Sequence, residues 1–167
     1  MSTQRGRQLA NRGMKMTAAP RRMTKETLMI VEDDALVAMD LNDALEDAGY
    51  KMLDLTDRQE AALNVAKAEK PHLALVNISL AGNDDGIELS EHLKAMGIPV
   101  LLISGQASRA SSAKSVAIGS MPKPYSSAAM VAAVAYLLAR LNGDGSLSCP
   151  AQLEVFDDSS FDGAPAA

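Results

Sequence analysis

The sequence predicts a doubly wound α/β domain, and three observations carry that prediction. Short apolar runs alternate five times with segments of helical period, the pattern of a parallel sheet covered on both faces. Hydrophobic residues make up 47% of the chain but aromatics only 3%, with no Trp, so the core is built from Leu, Val, Ile, Met and Ala. Several apolar runs also stop at polar residues with chemical character, and in open α/β sheets ligands bind outside the carboxyl ends of the strands.

The first strand is Thr27-Leu28-Met29-Ile30-Val31, which stops at Glu32-Asp33-Asp34. Ala35 to Ala48 follows as a helix, with Val37, Leu41, Ala44, Leu45 and Ala48 on one face and Asp40, Asp43, Glu46 and Asp47 on the other; Gly49 ends it. Tyr50 to Leu55 is a weaker strand, and Arg58 to Lys70 a helix closed by Pro71. The run Pro71 to Leu80 delivers Asn77, and a loop rich in Gly, Asn and Asp (Ala81 to Gly86) leads to a helix from Ile87 to Met96. Pro99 to Ile103 is a strand stopping at Ser104-Gly105, Gln106 to Ser115 a short helix, and Val116 to Met121 a strand that leads into Pro122-Lys123-Pro124. The last helix, Ser126 to Leu141, opens on a serine cap. Beyond it, Asn142-Gly143-Asp144-Gly145-Ser146 reads as a linker.

Charge divides the chain in three. Residues 1–25 hold seven bases and no acid, residues 26–141 nine bases and sixteen acids, and residues 142–167 five acids and no base. The expected organisation is a basic, disordered arm over 1–25, a folded domain over 26–141 and an acidic, flexible tail over 142–167. The arm is a solvated extension, or else a contact for nucleic acid. Met14, Met16 and Met23 offer alternative starts. One cysteine, Cys149, excludes an internal disulfide framework and suits a reducing cytoplasm, and no apolar run reaches the length of a membrane span.

Glu32, Asp33, Asn77, Ser104 and Lys123 all follow the carboxyl ends of strands, so they converge on one cleft. Adjacent carboxylates, with the Ser79 backbone carbonyl two residues beyond Asn77, make a hard oxygen site suited to Mg²⁺. Lys123, fixed between two prolines, is aimed to hold a phosphoryl oxygen or a carboxylate. A flavin or dinucleotide site is excluded, because Glu32-Asp33-Asp34 would repel phosphate where such folds need small residues. A Mg²⁺-dependent phosphatase built on Glu32 and Asp34 remains a rival, though it gives Asn77 and Lys123 no role.

Four ordered motifs carry a more specific likeness: Ile30-Val31-Glu32-Asp33-Asp34, the loop Asn77 to Gly86 with Ile87-Glu88-Leu89, Leu102-Ile103-Ser104-Gly105, and Met121-Pro122-Lys123-Pro124-Tyr125. From about Thr24 to Leu141 the chain resembles the receiver domain of bacterial two-component response regulators, and within it small single-domain regulators and those paired with alphaproteobacterial sensor kinases. The resemblance implies a (βα)5 flavodoxin-like sheet in the order 2-1-3-4-5, a non-enzymatic role in phosphorelay signalling, and a histidine kinase or histidine phosphotransfer protein as partner. It implies metal binding by Glu32, Asp33, residue 77 and the Ser79 carbonyl, and phosphoryl contacts from Ser104 and Lys123. Asn77 stands where the family has its phosphate-accepting aspartate, and Ser120 where the family usually has a switching aromatic. An amide is a poor nucleophile and removes an anionic metal ligand, so the resemblance implies a pseudo-receiver with weakened Mg²⁺ binding, or a phosphorylatable regulator inactivated at residue 77.

The last helix carries an apolar stripe on one side and small apolar residues on the other. Met130, Val131, Val134, Ala135 and Tyr136 are the expected partner surface, suited to a homodimer. Alternatively the tail, through Leu147, Leu153, Val155, Phe156 and Phe161, folds back over it.

Overall fold

The computed structural model describes residues 25–156. Six strands form one sheet: β1 (Thr27–Val31), β2 (Lys51–Met52), β3 (Leu73–Asn77), β4 (Val100–Ser104), β5 (Gly119–Pro122) and β6 (Glu154–Val155). Their order is β2-β1-β3-β4-β5-β6; the first five are parallel and β6 runs antiparallel to β5. The expected fold class and strand order are therefore present, with one strand added at the β5 edge.

Every residue of β1, β3 and β4 is buried, because helices lie on both faces of the sheet. Side chains along a strand alternate between those faces, and the alternation builds two cores. Leu28, Ile30, Leu73, Leu75, Leu101 and Ile103 pack with the buried face of α1 (Ala35–Asp47) and α5 (Ser127–Leu141). Met29, Val31, Ala74, Val76, Val100 and Leu102 pack with α2 (Gln59–Ala68), α3 (Gly86–Ala95) and α4 (Ala107–Ser111).

Local chemistry sets the helix ends. Asp34 accepts from the amides of Leu36 and Val37 to open α1, Asp85 accepts from Ile87 to open α3, and Ser126 accepts from Ala129 to open α5. Gly49 (φ 103°) and Gly97 (φ 80°) turn the chain out of α1 and α3 in the left-handed conformation.

Several elements are shorter than the sequence predicts, α2 by three residues. The strand expected over Tyr50 to Leu55 is reduced to Lys51–Met52; it lies at the sheet edge, and the chain then follows β1 only through the Leu53 amide and a bridge from Thr56 to Val31. The helix expected over Gln106 to Ser115 is five residues long, pinned by buried Ala110, Ala113 and Ala117 rather than by propensity. Because Val116 and Ala117 still bond back to Ala113, β5 begins at Gly119 instead of Val116.

The domain does not stop at Leu141. Leu153 joins the core beside α5 and Phe156 the core beside α4, both buried, so the expectation of a separate tail from 142 is corrected for residues up to 156. Burying one Leu and one Phe contributes on the order of 3–6 kcal/mol before the ordering cost. Leu147 stays exposed, and Phe161 lies outside the described residues.

Candidate functional site

The parallel register places the functional side chains at one end of the sheet. Val31 pairs with Val76, Asn77 with Ile103, and Ser104 with Pro122, so Glu32-Asp33, Asn77, Ser104 and Lys123 leave adjacent strands at one edge. A further bond, from the Lys123 amide to the Ser104 carbonyl (2.9 Å), holds the last two together.

Asn77 is the centre of that edge. Its Nδ2 donates to Glu32 Oε1 at 3.1 Å, Asp33 Oδ1 at 3.0 Å and the Ser79 carbonyl at 2.9 Å. The four groups expected to surround a cation therefore do converge. An amide nitrogen has two hydrogens for these three oxygens, and a divalent cation held by these residues would draw on the same oxygens. Amide and cation compete for the same atoms, so the residues do not fit Mg²⁺ in this arrangement. Among the described residues no group of three or more His, Cys, Asp or Glu side chains is placed to hold a metal ion.

Glu32 carries the electrostatic strain of the site. Its side chain is 1% exposed, its Oε2 accepts no hydrogen bond, and its charge partner is the Lys123 ammonium at 3.8 Å. Burial, followed by the hydrogen-bonding interaction with Asp33, raises its pKa above the usual glutamate value; the Asp34 amide and Lys123 pull the other way. Asp34, by contrast, spends its carboxylate on the α1 cap, which leaves the phosphatase reading without its second acid.

Ser104 is at the expected place, but its hydroxyl is turned into its own loop. It accepts from the Gln106 amide at 2.8 Å and donates to the Gln106 carbonyl at 2.9 Å. Ser120 is buried within β5, opposite Leu102 and Glu154. Of the expected partner surface, Met130 and Val134 are fully buried against the sheet and are removed from it; Val131, Ala135 and Tyr136 are partly exposed.

Several contributors were not singled out from the sequence. Gly86 passes so close beneath β3 that a Cβ there would meet the Asn77 carbonyl oxygen at 2.1 Å; nothing in the sequence distinguishes it from an ordinary loop glycine. Asp85 both caps α3 and pairs with Arg109 of α4 at 3.0 Å. The spacing Asp85-Gly86-Ile87-Glu88 is a legible helix-start signal. Tyr125 puts a hydroxyl with no hydrogen-bond partner inside the protein, and burial, then the Glu32 and Asp40 carboxylates, pushes its pKa up to about 12. It lines a groove of ≈ 600 Å³ with Leu36, Val37, Leu41, Lys123 and Pro124.

Residues 28–135 match the response regulator receiver domain. The chain belongs to that family. The phosphate regulon transcriptional regulatory protein PhoB of Pseudomonas aeruginosa is 29% identical over 138 residues, 78% of this chain and 59% of that protein. The phyllosphere-induced regulator PhyR of Methylorubrum extorquens is 30% identical over 84 residues, 49% of this chain and 32% of PhyR. The chain thus spans less than two thirds of these relatives. A crystal structure of a putative response regulator from Chloroflexus aurantiacus superposes with a TM-score of 0.64 at 27% identity, covering 70% of this chain and all of that one. Receiver domains are signalling modules of two-component systems that interact with histidine kinases and phosphotransfer proteins, and they commonly bind Mg²⁺ at an acidic phosphorylation site. No helix among the described residues is long and apolar enough to cross a membrane, and residues 1–24, with six of the arm's seven bases, lie outside those described.

Proposed function

We propose that this chain is a receiver that works in the cytoplasm by binding protein partners and takes up no phosphate at residue 77. One observation carries the reading: the Asn77 amide is satisfied by Glu32, Asp33 and the Ser79 carbonyl at once. A receiver needs a carboxylate there to attack a phosphoryl donor, and a metal to neutralise the developing charge. The amide is neutral and weakly nucleophilic, and its hydrogens take the oxygens that would bind Mg²⁺, so binding of the ion is weakened. The Ser104 hydroxyl, engaged with Gln106, supports the same conclusion.

The partner is a sensor histidine kinase or a phosphotransfer protein. The groove beside Lys123 suits one of their helices: Leu36 is 78% and Met39 55% exposed on α1, an apolar rim beside the site. The partly exposed Val131, Ala135 and Tyr136 of α5 are a second surface, suited to a homodimer. Glu32, Asp33 and Lys123 remain assembled, which also supports a regulator inactivated only at residue 77.

Intact-mass analysis after incubation with acetyl phosphate, or with a phosphorylated kinase, tests the reading. The chain is expected to gain no mass, and Asn77→Asp to gain one phosphoryl group. A stable phosphoryl adduct on the unaltered chain overturns it.

A further inference from the structure

The groove beside α1 and the outer face of that helix form one uncovered surface. Leu36, Val37, Leu41, Pro124 and Tyr125 line the groove, and Leu36 and Met39 stand 78% and 55% exposed on α1. Asp40, Asp43, Glu46 and Asp47, all exposed, continue that stripe toward the end of the helix at spacings of three and four. After burial, the Glu32 and Asp40 carboxylates are what raise the Tyr125 pKa, so negative potential reaches into the groove itself.

This apolar and acidic face lacks a cation. From its Asp34 cap to Asp47, α1 carries no base, and its last turn sets Glu46 and Asp47 against the negative end of the helix dipole, where positive charge is favoured. The other four α-helices each have a base in the last turn: Lys67, Lys94, Arg109 and Arg140. The ion pairs formed among the described residues use Glu32, Asp57, Glu69 and Asp85, and no carboxylate of α1.

The missing chemistry lies just upstream in the chain. Arg12, Lys15, Arg21 and Arg22 are interleaved with Met14, Met16 and Met23, with no acid before Glu26; methionine adapts to irregular apolar surfaces. The arm also enters the domain beside the end of α1. The Glu26 carbonyl accepts from the Lys51 amide at 3.0 Å, and the neighbouring Tyr50 amide donates to the Leu45 carbonyl, in the last turn of α1, at 3.2 Å. From that end the thirteen residues of α1 extend about 20 Å. The ten residues from Lys15 to Lys25 reach about 33 Å when extended.

We propose that residues 12–23 dock along α1 of their own chain: Arg21 and Arg22 at Glu46 and Asp47, Lys15 beside Asp43, and Met14 and Met16 against Leu36, Met39 and the groove. The contact does not rest on what residue 77 does, and any helix that enters the groove must first displace it.

Zero-length carbodiimide cross-linking of the unaltered full-length chain, read by peptide mass spectrometry, tests it. Lys15 is expected to join Asp40, Asp43, Glu46 or Asp47, with a yield that falls at high salt. In a mixture of isotopically light and heavy chains each link is expected to carry one isotope. No such link, links mainly to acids elsewhere, or links that mix isotopes and so join two copies overturn the proposal. Single exposed ion pairs contribute little, so the second test reverses several together. One set is Arg12→Glu, Lys15→Glu, Arg21→Glu and Arg22→Glu; the other is Asp43→Lys, Glu46→Lys and Asp47→Lys, which also suits the helix dipole. Either set is expected to speed peroxide oxidation of Met39 at least about twofold, and all seven changes in one chain to return it to the unaltered rate. A rate that neither set changes, or that stays raised with both sets combined, overturns the docking.

Discussion

Asn77→Asp reverses the central feature of the site, and its cost follows from the distances around Nδ2. In the same rotamer the substitution replaces two donated hydrogens with a third carboxylate about 3 Å from Glu32 and Asp33. Losing the hydrogen bonds to two charged acceptors costs about 1.5–3 kcal/mol each, and two unit charges at that separation repel by about 5 kcal/mol at an effective dielectric near 20. The structure need not bear the full sum. Asp33 can turn toward water, Lys123 already stands 3.8 Å from Glu32, and Glu32, whose pKa is raised by burial, can take a proton. A net loss of about 3 kcal/mol at neutral pH remains, on the order of 10 °C in melting temperature for a domain of this size. The pH sign follows from a raised carboxylic pKa: stability is full at low pH and lost as pH rises through the folded value, so the variant should lose more at pH 8 than at pH 5. Millimolar Mg²⁺ should restore most of the loss in the variant and leave the unaltered chain nearly unchanged. Thermal melts of both proteins, with and without Mg²⁺ at three pH values, measure this. Equal stability without Mg²⁺ at pH 8, or equal stabilisation of the unaltered chain by Mg²⁺, would refute the view that the amide occupies the cation's place.

Gly86→Ala forces a methyl against the Asn77 carbonyl oxygen; it should cost more than about 3 kcal/mol in urea unfolding, whereas alanine at open Gly145 should cost under about 1 kcal/mol. Tyr125→Phe removes a buried hydroxyl that has no partner and should leave stability unchanged or raise it by up to about 1 kcal/mol. In the unaltered chain, stability present below the unfolded tyrosine pKa near 10 is lost as pH climbs toward the folded value of about 12. Tyr125→Phe should flatten that slope in melts between pH 9 and 11. Arg109→Ala breaks a half-exposed ion pair with Asp85 and should cost under about 1 kcal/mol; because Asp85 still caps α3, amide exchange should quicken in residues 106–112 without reaching β3.

Much of the fold was legible because the strands are buried on both faces and so read as uninterrupted apolar runs. Thr27–Val31 is found at its expected bounds, and the motif ends at Glu32, Asn77, Ser104 and Lys123 meet where a parallel sheet must bring them. What failed was whatever depends on contacts distant in sequence. β2 shortens because an edge strand needs few partners, and α4 is set by which alanines reach the sheet. Leu153 and Phe156 give no strand signal, since two residues of pairing leave no period to read. The site itself divides along the same line: its residue identities were legible, but the turning of Ser104 into its loop and the clearance beneath Gly86 are three-dimensional facts with no trace in spacing.

The two ends of β5 point to one way of working. Its carboxyl end carries Lys123 into a site whose anions are already held by Asn77, while Ser120, small and buried, offers no ring to swing in response to a phosphoryl group. Its free edge, which would otherwise present unpaired backbone groups, is covered by a segment on a long exposed connection. A switch at the site would have to move Asn77 against three hydrogen bonds and Gly86 against backbone. A change at the edge has only to release two residue pairs and two side chains. Between these, the edge is the softer element.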